Sequence, residues 1–413
     1  MAEGVAEPRA GERPLRWGIV GLLFLATVIN YIDRQALSVL APVIKRELNL
    51  TNFAYSTVTA WFLVAYALAM WIFGAIFDRL GNRRGFALAI SLWSLAAAAH
   101  ALVSTLRGFQ VVRFALGASE SGNWPGATRT VAAWFSARQR ALAMGLVNCG
   151  AALGSAIAPP AVLALAAVYG WRAAFLATAS LGFLWLVAWL VVHPRAEHER
   201  GPLRAPPVPW PVLLRRREVW GIVLARFFGD PIWWLYLFWL PLYLHDARGF
   251  DLKAIALTAW LPYLTAGLGS LGGGWISGHL LARGHSVNRA RRTAILIGTA
   301  LMPVGMAAAF VASPMHALAC MCVTAFGFQF WVGNVQTLAS DYFPVGAVGS
   351  IAGFAGSAAA LGALIFTLCT GWVVDHVSYT PILVTAGLLG PVATASLFLL
   401  SGPVRPVPLP AAR

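Results

Sequence analysis

Two charged side chains stand next to each other in the apolar stretch VINYIDRQALSV, residues 28–39. Asp33 and Arg34 lie well inside a run of apolar residues that extends from Trp17 to about Pro42. A helix of that length crosses a membrane, and a charge inside it is expensive unless it faces a partner or a cavity. A carboxyl group binds a proton and a guanidinium binds an anion, so the pair has the chemistry to take up both.

Two other apolar runs also carry charges, Arg113 with Glu120 in one and Arg226 with Asp230 in the other. At 1.5 Å of rise per residue, Asp33 and Arg113 each lie about 10 Å from the same membrane face. Glu120 lies about 10 Å deeper than Arg113 on the same face of the helix, near the level of Arg226. We therefore predict that these charges line one water-filled path; the alternative is buried ion pairs that only fix helix packing.

All three cations within the apolar runs are arginines, whose planar fork matches a carboxylate better than an ammonium does. An acid held away from water favours its protonated form, and a nearby arginine opposes protonation. An anion that binds the arginine removes part of that opposition. Cotransport of a proton and an anion is the resulting hypothesis.

The composition indicates a protein built mainly inside a membrane. Of the 413 residues, 59% are hydrophobic and 11% charged, and the mean hydropathy is +0.72; soluble domains carry about 25% charged residues. We predict an all-α integral membrane protein with twelve spans, near 17–40, 55–77, 85–105, 108–130, 140–163, 172–193, 219–244, 253–281, 293–312, 315–339, 347–373 and 378–400. The predicted domains are a tail at 1–16, six-helix bundles at 17–193 and 219–400, a linker at 194–218 and a tail at 401–413.

The net charge of +15 follows the loops. With the N-terminus inside, 21 of the 30 lysines and arginines fall in inner segments and six in outer loops. This bias predicts that both termini are cytoplasmic, and it gives the basic residues a role at membrane lipid rather than at nucleic acid. The proline-rich tail from Gly402 is predicted to be disordered.

The loop between the second and third spans reads GAIFDRLGNRRGF at residues 74–86. Its pattern G-x-x-x-D-R-x-G-x-R-R resembles the signature loop of the major facilitator superfamily, which implies two six-helix bundles and a cytoplasmic charge network. Gly74 would permit close helix approach, Gly81 a tight turn, and Arg129 would pair with Asp78. The gate residues so implied are Gly74, Asp78, Arg79, Gly81, Arg83 and Arg129. In the second half Gly278 stands where the family usually has an acid.

Further stretches resemble the anion:cation symporter family within that superfamily, closest to bacterial hexuronate and aldonate transporters. They are NYIDRQALSVLAP (30–42), RFALGASESGNWPGATRTVAAWF (113–135), GWRAAF (170–175) and DPIWWLYLFWLPLYL (230–244). The resemblance implies that Arg34 binds a substrate carboxylate, that Tyr31 and Tyr66 hydrogen-bond the sugar acid, and that Arg113 tunes the proton-coupling acids Asp33 and Glu120. Ala151 replaces a residue that is often polar in the family, and Asn148 is the substitute we consider.

Several polar and aromatic residues of the second half are weaker candidates for substrate binding. Trp233, Trp234, Tyr236 and Trp239 would offer a stacking wall to a sugar ring, or else face lipid; we favour Tyr236 and Trp239. Gln329 and Asn334 would bind hydroxyl groups, or else bond to neighbouring helices.

We expect a monomeric secondary transporter of the bacterial inner membrane that imports a sugar-acid anion with a proton by alternating access. We expect no cofactor and no metal. The runner-up substrates are tartrate, phthalate or another aromatic acid, and dicarboxylates. An enzyme would need a nucleophile or metal cluster at membrane depth, which the sequence does not suggest, and a sensor would need an added signalling domain.

Overall fold

The computed structural model describes residues 12–135, 137–193 and 208–407. In these ranges the regular structure is helical, which confirms the predicted all-α class. The α-helices are α1 (Glu12–Leu48), α2 (Asn52–Ala99), α3 (Leu106–Glu120), α4 (Asn123–Trp134), α5 (Ala137–Tyr169), α6 (Trp171–Val192), α7 (Trp210–Leu214), α8 (Arg217–Gly229), α9 (Pro231–Asp246), α10 (Leu252–Thr258), α11 (Leu261–Ala282), α12 (Val287–Leu301), α13 (Pro314–Tyr342), α14 (Val345–His376) and α15 (Thr380–Ser401). Short 3₁₀ segments cover His100–Leu102 and Met302–Ala309.

Ten helical segments of the described chain are long and apolar enough to cross a membrane. The fourth and seventh predicted spans are missing from these ten because each is broken into two shorter helices, α3 with α4 and α8 with α9. The predicted number of twelve is reached only if each broken pair counts as one span. Helix α1 begins at Glu12, before the predicted start of the first span at residue 17.

Pro231 and Gly81 account for two of the differences between the predicted spans and the observed helices. Pro231 starts α9, and since proline has no N–H it cannot complete the hydrogen-bond ladder continuing from α8. Helix α2 joins the second and third predicted spans, with a kink at Gly81, the one residue inside it with a non-helical backbone. Gly81 has φ 75°, a conformation that glycine adopts without the steric cost of a side chain.

Helices α1–α6 pack mainly on one another, and so do α8–α15. The two groups meet where α2 packs on α14, α5 on α10 and α11, and α1 on α9. We use the term outer end for the side of the bundle that the loop charges predict to face outside. At the outer end Asp375 of α14 accepts hydrogen bonds from the backbone N–H groups of Asn52 (2.9 Å) and Phe53 (2.7 Å), and Lys45 lies 3.5 Å from Asp246. These contacts join the two groups at that end.

The opposite end of the second half has its own polar network. Arg291 of α12 lies 2.8 Å from Asp341 of α13 and donates to the hydroxyl of Ser277 on α11, also at 2.8 Å. Gly278 has no described atom within 4 Å of where a Cβ would stand. The acid of this network is therefore contributed by α13 and not by the loop after α11.

The start of the C-terminal tail is held against this end, contrary to the predicted disorder from Gly402. The N–H of Val404 donates to Asn288 (2.8 Å) and that of Val407 to the carbonyl of Tyr342 (2.7 Å). Residues 408–413 lie outside the described residues, as do 1–11 of the N-terminal tail and 194–207 of the linker.

Candidate functional site

An ion pair between α1 and α3 lies at the centre of the first half. The Nε of Arg34 lies 2.9 Å from Oε2 of Glu120, and the two side chains are 1% and 0% exposed. The Nη2 of Arg34 also donates to Oδ1 of Asn30, one helical turn earlier, at 3.0 Å. The second oxygen of Glu120, Oε1, has no hydrogen-bond partner among the described residues.

Arg113 and Asp33 complete a group of four charges, which we call the Arg34 cluster: Asp33, Arg34, Arg113 and Glu120. Arg113 donates from Nη2 to the carbonyl oxygen of Arg34 at 2.8 Å, so a second arginine holds α1 at this point. Its Nε and Nη1, and both oxygens of Asp33, have no hydrogen bond within the described chain. The nearby hydroxyl of Thr178 donates instead to the carbonyl of Phe175, at 3.2 Å. A fully buried acid without a donor is costly when ionised, so Asp33 is suited to carry a proton.

Aromatic rings surround the guanidinium of Arg34. Its Cζ lies 4.6 Å from the ring centroid of Tyr31, 5.2 Å from those of Phe62 and Tyr66, and 5.5 Å from that of Trp234. Ring faces attract a cation, and this attraction strengthens when water is excluded. Trp234 is contributed by α9, so the second half closes one side of a site that is otherwise built by the first half.

Two glycines set the close helix packing on which the cluster depends. A Cβ at Gly117, midway between Arg113 and Glu120, would overlap the carbonyl oxygen of Phe62 on α2. A Cβ at Gly154 of α5 would overlap the carbonyl oxygen of Val28 on α1. Because glycine has no side chain, α3 packs closely on α2, which contributes Phe62 and Tyr66, and α5 packs closely on α1, which contributes Arg34.

The second-half charges do not join the Arg34 cluster. Arg226 at the end of α8 pairs with Asp230 one turn later, and in the described chain neither contacts the four charges of the first half. The structure thus brings four of the predicted charges together, but as a buried cluster, and it places Arg226 and Asp230 apart from them. Their spacing of four residues lets the two side chains meet on one helical turn.

The other candidates from the second half are dispersed. The amide of Asn334 donates to the carbonyls of Gly273 (3.1 Å) and Phe330 (3.0 Å), so it bonds α13 to α11. Gln329 is half-buried on the same helix. Tyr236 and Trp239 are buried and line a small cavity that lies toward α15, away from Arg34. In the first half Asn148 is exposed and donates to the carbonyl of Met144 on its own helix.

The structure describes part of the predicted gate. Arg83 donates from Nε to the carbonyl of His193 (3.1 Å) and from Nη2 to that of Leu190 (2.7 Å), which ties the loop to the end of α6. Arg79 is exposed and Arg129 is half-buried on α4. Among the described residues no atom lies within 4 Å of a Cβ at Gly74, so the close approach predicted there stays a prediction. The side chain of Asp78, and with it the predicted pair to Arg129, lies outside the described residues.

Sequence reasoning missed Asn30 and Phe62 as contacts of Arg34, and it named Trp234 only as part of a possible stacking wall. Asn30 carried a usable signal, because it is a polar residue about one turn from Arg34 in an apolar run. Phe62 and Trp234 carried little signal of their own, because aromatic residues are common throughout the spans.

Comparisons with known proteins agree with this architecture. A family profile described as Major Facilitator Superfamily matches residues 23–367. The chain belongs to the major facilitator superfamily. It is therefore a multi-pass membrane transporter and not an enzyme. In fold it is similar to a bacterial homologue of the human lysosomal transporter Spinster, solved in an inward-facing and occupied conformation, with a TM-score of 0.75 and 17% identity over 94% of this chain and 97% of that one.

Two curated relatives are more similar in sequence. The hexuronate transporter of Escherichia coli (strain K12) is 33% identical over 391 residues, covering 89% of this chain and 90% of the relative. The galacturonate transporter of Dickeya chrysanthemi is 32% identical over 333 residues, covering 75% of this chain and 95% of the relative.

Proposed function

We propose that this transporter imports a sugar-acid anion, a hexuronate such as galacturonate or glucuronate, or an aldonate, together with a proton. The observation that carries the proposal is the buried 2.9 Å contact between Arg34 and Glu120. A substrate carboxylate and the Glu120 carboxylate are chemically alike, so they compete for the same guanidinium. Anything that neutralises Glu120 makes Arg34 available to the substrate.

A proton is the simplest agent of that release. Protonated Glu120 loses most of its attraction for Arg34, and a substrate carboxylate then takes its place on the guanidinium fork. Once the substrate has bound, Arg34 no longer draws the proton off Glu120. Each ligand thus stabilises the binding of the other, which is the thermodynamic requirement for coupled transport. Asp33, buried without a hydrogen-bond donor in the described chain, is the alternative site for the same proton.

The charge balance of the Arg34 cluster suggests the stoichiometry. With both acids ionised, the two arginines and two acids sum to zero. One monocarboxylate adds one negative charge, and one proton restores neutrality. Because an uncompensated charge is very costly at a site shielded from water, we propose one proton per monocarboxylate.

Support for a sugar acid comes from the two relatives and from the setting of Arg34. Tyr31 and Tyr66 lie beside the guanidinium and offer hydroxyl groups to a polyhydroxylated substrate, and Trp234 offers an apolar ring face. Another organic anion, such as tartrate, phthalate or a dicarboxylate, would use the same arginine and is an outcome of the test. We further propose that the protein acts as a monomer in a bacterial inner membrane with both termini cytoplasmic.

The test is uptake of labelled galacturonate and glucuronate by proteoliposomes with and without an acid-outside pH gradient. We expect the wild-type protein to concentrate at least one of them, and only with the gradient. Unlabelled tartrate, phthalate and succinate serve as competitors. If one of these is transported and neither hexuronate is, the substrate class is wrong. If a hexuronate accumulates without any proton gradient, the coupling is wrong.

A further inference from the structure

A polar cavity lies at the outer end, far from the Arg34 cluster along α9. It encloses about 430 Å³, within the range of about 300–1,000 Å³ that is typical of small-molecule sites. The second half contributes most of its wall, including Tyr243, Arg248 and Tyr379, and the first half contributes Asn52. We call it the outer cavity. The mechanism proposed above makes no use of it.

Arg248 brings a positive charge that no acid in the described chain neutralises. Its Nε donates to the hydroxyl of Tyr243 (2.6 Å), and its two Nη atoms donate to the carbonyls of Ala308 and Val311. These three acceptors are neutral, and a guanidinium has five N–H donors, so two remain. Asp246 also lines the cavity, but it is paired with Lys45 at 3.5 Å and with His245 at 2.7 Å.

Tyr379 brings a hydroxyl group that lacks a partner. The residue is 8% exposed and lines the cavity, yet its hydroxyl makes no hydrogen bond within the described residues. Its ring lies 5.4 Å from that of Tyr243, the residue that also contacts Arg248. A buried hydroxyl without a partner is unfavourable. Because this hydroxyl is closed to solvent, the ring must turn toward the cavity before a ligand hydroxyl can pair with it and relieve that cost.

Aromatic rings separate the outer cavity from Arg34. The ring of Tyr379 lies 6.5 Å from that of Trp239, which lies 5.3 Å from that of Tyr55. The hydroxyl of Tyr55 donates to the carbonyl of Phe238 at 2.7 Å, and the ring of Phe238 lies 6.0 Å from that of Phe62, which contacts Arg34. A ligand in the outer cavity would therefore wait outside a closed aromatic barrier.

We propose that the outer cavity is a second binding site for a hydroxylated monocarboxylate, with Arg248 holding the carboxylate and Tyr379 hydrogen-bonding a hydroxyl group. The site loads the substrate from the outside before the two halves separate. This inference rests on the proposed function, because it assigns the same substrate class to a second position. Arg248 has N–H donors that remain available and Tyr379 has a hydroxyl without a partner, so a hydroxylated carboxylate could bond to both. An inorganic anion would use the positive charge of Arg248 alone.

The test compares Tyr379→Phe and Arg248→Gln with the wild type in uptake from outside and in efflux from substrate-loaded vesicles. We expect the KM of uptake to rise about 3–10-fold in Tyr379→Phe, which loses one neutral hydrogen bond, and about 10–100-fold in Arg248→Gln. The maximal rate of uptake and the KM of efflux should stay within twofold, because the site opens only to the outside. Matched controls are the exposed Tyr169→Phe and Arg172→Gln at the outer end of the first half, which should not change either KM.

The outcomes separate the two proposals. Wild-type uptake of a hexuronate with an unchanged external KM in Tyr379→Phe would overturn the outer site and leave the proposed function standing. No uptake of any hydroxylated carboxylate by the wild type would overturn both. Because Arg248 also anchors the end of α9, Tyr379→Phe is the decisive variant if Arg248→Gln does not fold.

Direct binding provides a further readout. Purified Arg34→Ala protein should retain weak, saturable galacturonate binding by calorimetry, and adding Tyr379→Phe should weaken that binding by about a further 3–10-fold. Equal displacement of galacturonate by chloride or phosphate would show a general anion site and overturn the assignment to a hydroxylated acid.

Discussion

Each half of the described chain holds an ion pair with a buried acid, and the two pairs are built differently. Arg34 on α1 meets Glu120 on α3 across 86 residues of sequence, whereas Arg226 meets Asp230 within one turn. A pair that joins two helices separates when a competing anion arrives or when the helices move. A pair within one turn keeps its spacing as the helix moves. In the proposed mechanism, the first half therefore carries the exchangeable charge and the second half a fixed one.

The largest expected difference between the two pairs is in transport. We predict that Arg34→Ala lowers the initial rate of uptake at least 100-fold, because it removes the substrate's partner and leaves Glu120 buried without one. Arg226→Ala should lower the rate less than tenfold. The measurement is uptake by proteoliposomes with equal amounts of folded protein. Arg34→Lys is the conservative control and should restore part of the activity, since it keeps the charge and loses the fork. Equal losses in Arg34→Ala and Arg226→Ala would contradict the comparison.

The next effect concerns pH. If substrate binds Arg34 only after Glu120 is protonated, the external KM rises with pH, by up to about tenfold per pH unit for one proton. Glu120→Gln is neutral at every pH, so its KM should be nearly constant between about pH 5 and 8. The measurement is counterflow of labelled substrate at a series of external pH values. A Glu120→Gln variant with the wild-type pH dependence would assign the coupling proton to another group, and Asp33→Asn identifies whether it is Asp33.

A smaller effect is expected in stability. Arg226→Leu should lower the free energy of unfolding by about 1–3 kcal/mol, because Asp230 is then left buried without its partner. Arg226→Leu combined with Asp230→Leu should recover most of that loss, since two apolar residues leave no charge behind. Thermal unfolding in detergent measures the changes. A double variant that is less stable than either single variant would show that the pair contributes more than mutual neutralisation.

The smallest effect should come from an exposed ion pair whose N–O distance is close to that of Arg34 and Glu120. Arg172 lies 3.0 Å from Glu47, and the two side chains are 43% and 41% exposed. Arg172→Ala should cost about 0.2–1 kcal/mol of stability, because water and salt screen an exposed pair. Uptake kinetics should not change. A loss comparable with that of Arg34→Ala would mean that burial does not distinguish the two pairs.

The sequence was sufficient for the helical class and most of the spans, because long apolar runs require helices in a membrane. It also suggested that acids lie beside the buried arginines, but the helical rise placed Glu120 about 10 Å deeper than Arg113 and did not predict its direct contact with Arg34. The breaks before Asn123 and Pro231 were not foreseen, although Pro231 carried the physical reason. The sequence placed Arg226 near the depth of Glu120. Depth alone could not distinguish a partner on another helix from Asp230, four residues later in the same span.

The parts of the site that the sequence did not reveal depend on contacts between distant segments. Trp234 faces Arg34 while Trp239 faces Tyr379, and choosing between them requires the rotation of α9. The outer cavity joins residues near positions 52, 246 and 379, which no local pattern connects. Asp341 supplies the acid that is absent at position 278 of α11, and only the packing of α12 beside α13 brings it to Arg291.

The straight part of α2 before Gly81 has a mechanical consequence. From Asn52 to the kink at Gly81 the helix is an uninterrupted rod of roughly 44 Å. Its outer tip is pinned to the opposite half by the two N–H groups that Asp375 accepts, and its far tip enters the signature loop. The rod acts as a lever, so a tilt of about 10° around the pinned tip would carry Gly81 roughly 8 Å. The two hydrogen bonds to Asp375 at the outer end therefore affect where the signature loop lies at the opposite end of the bundle.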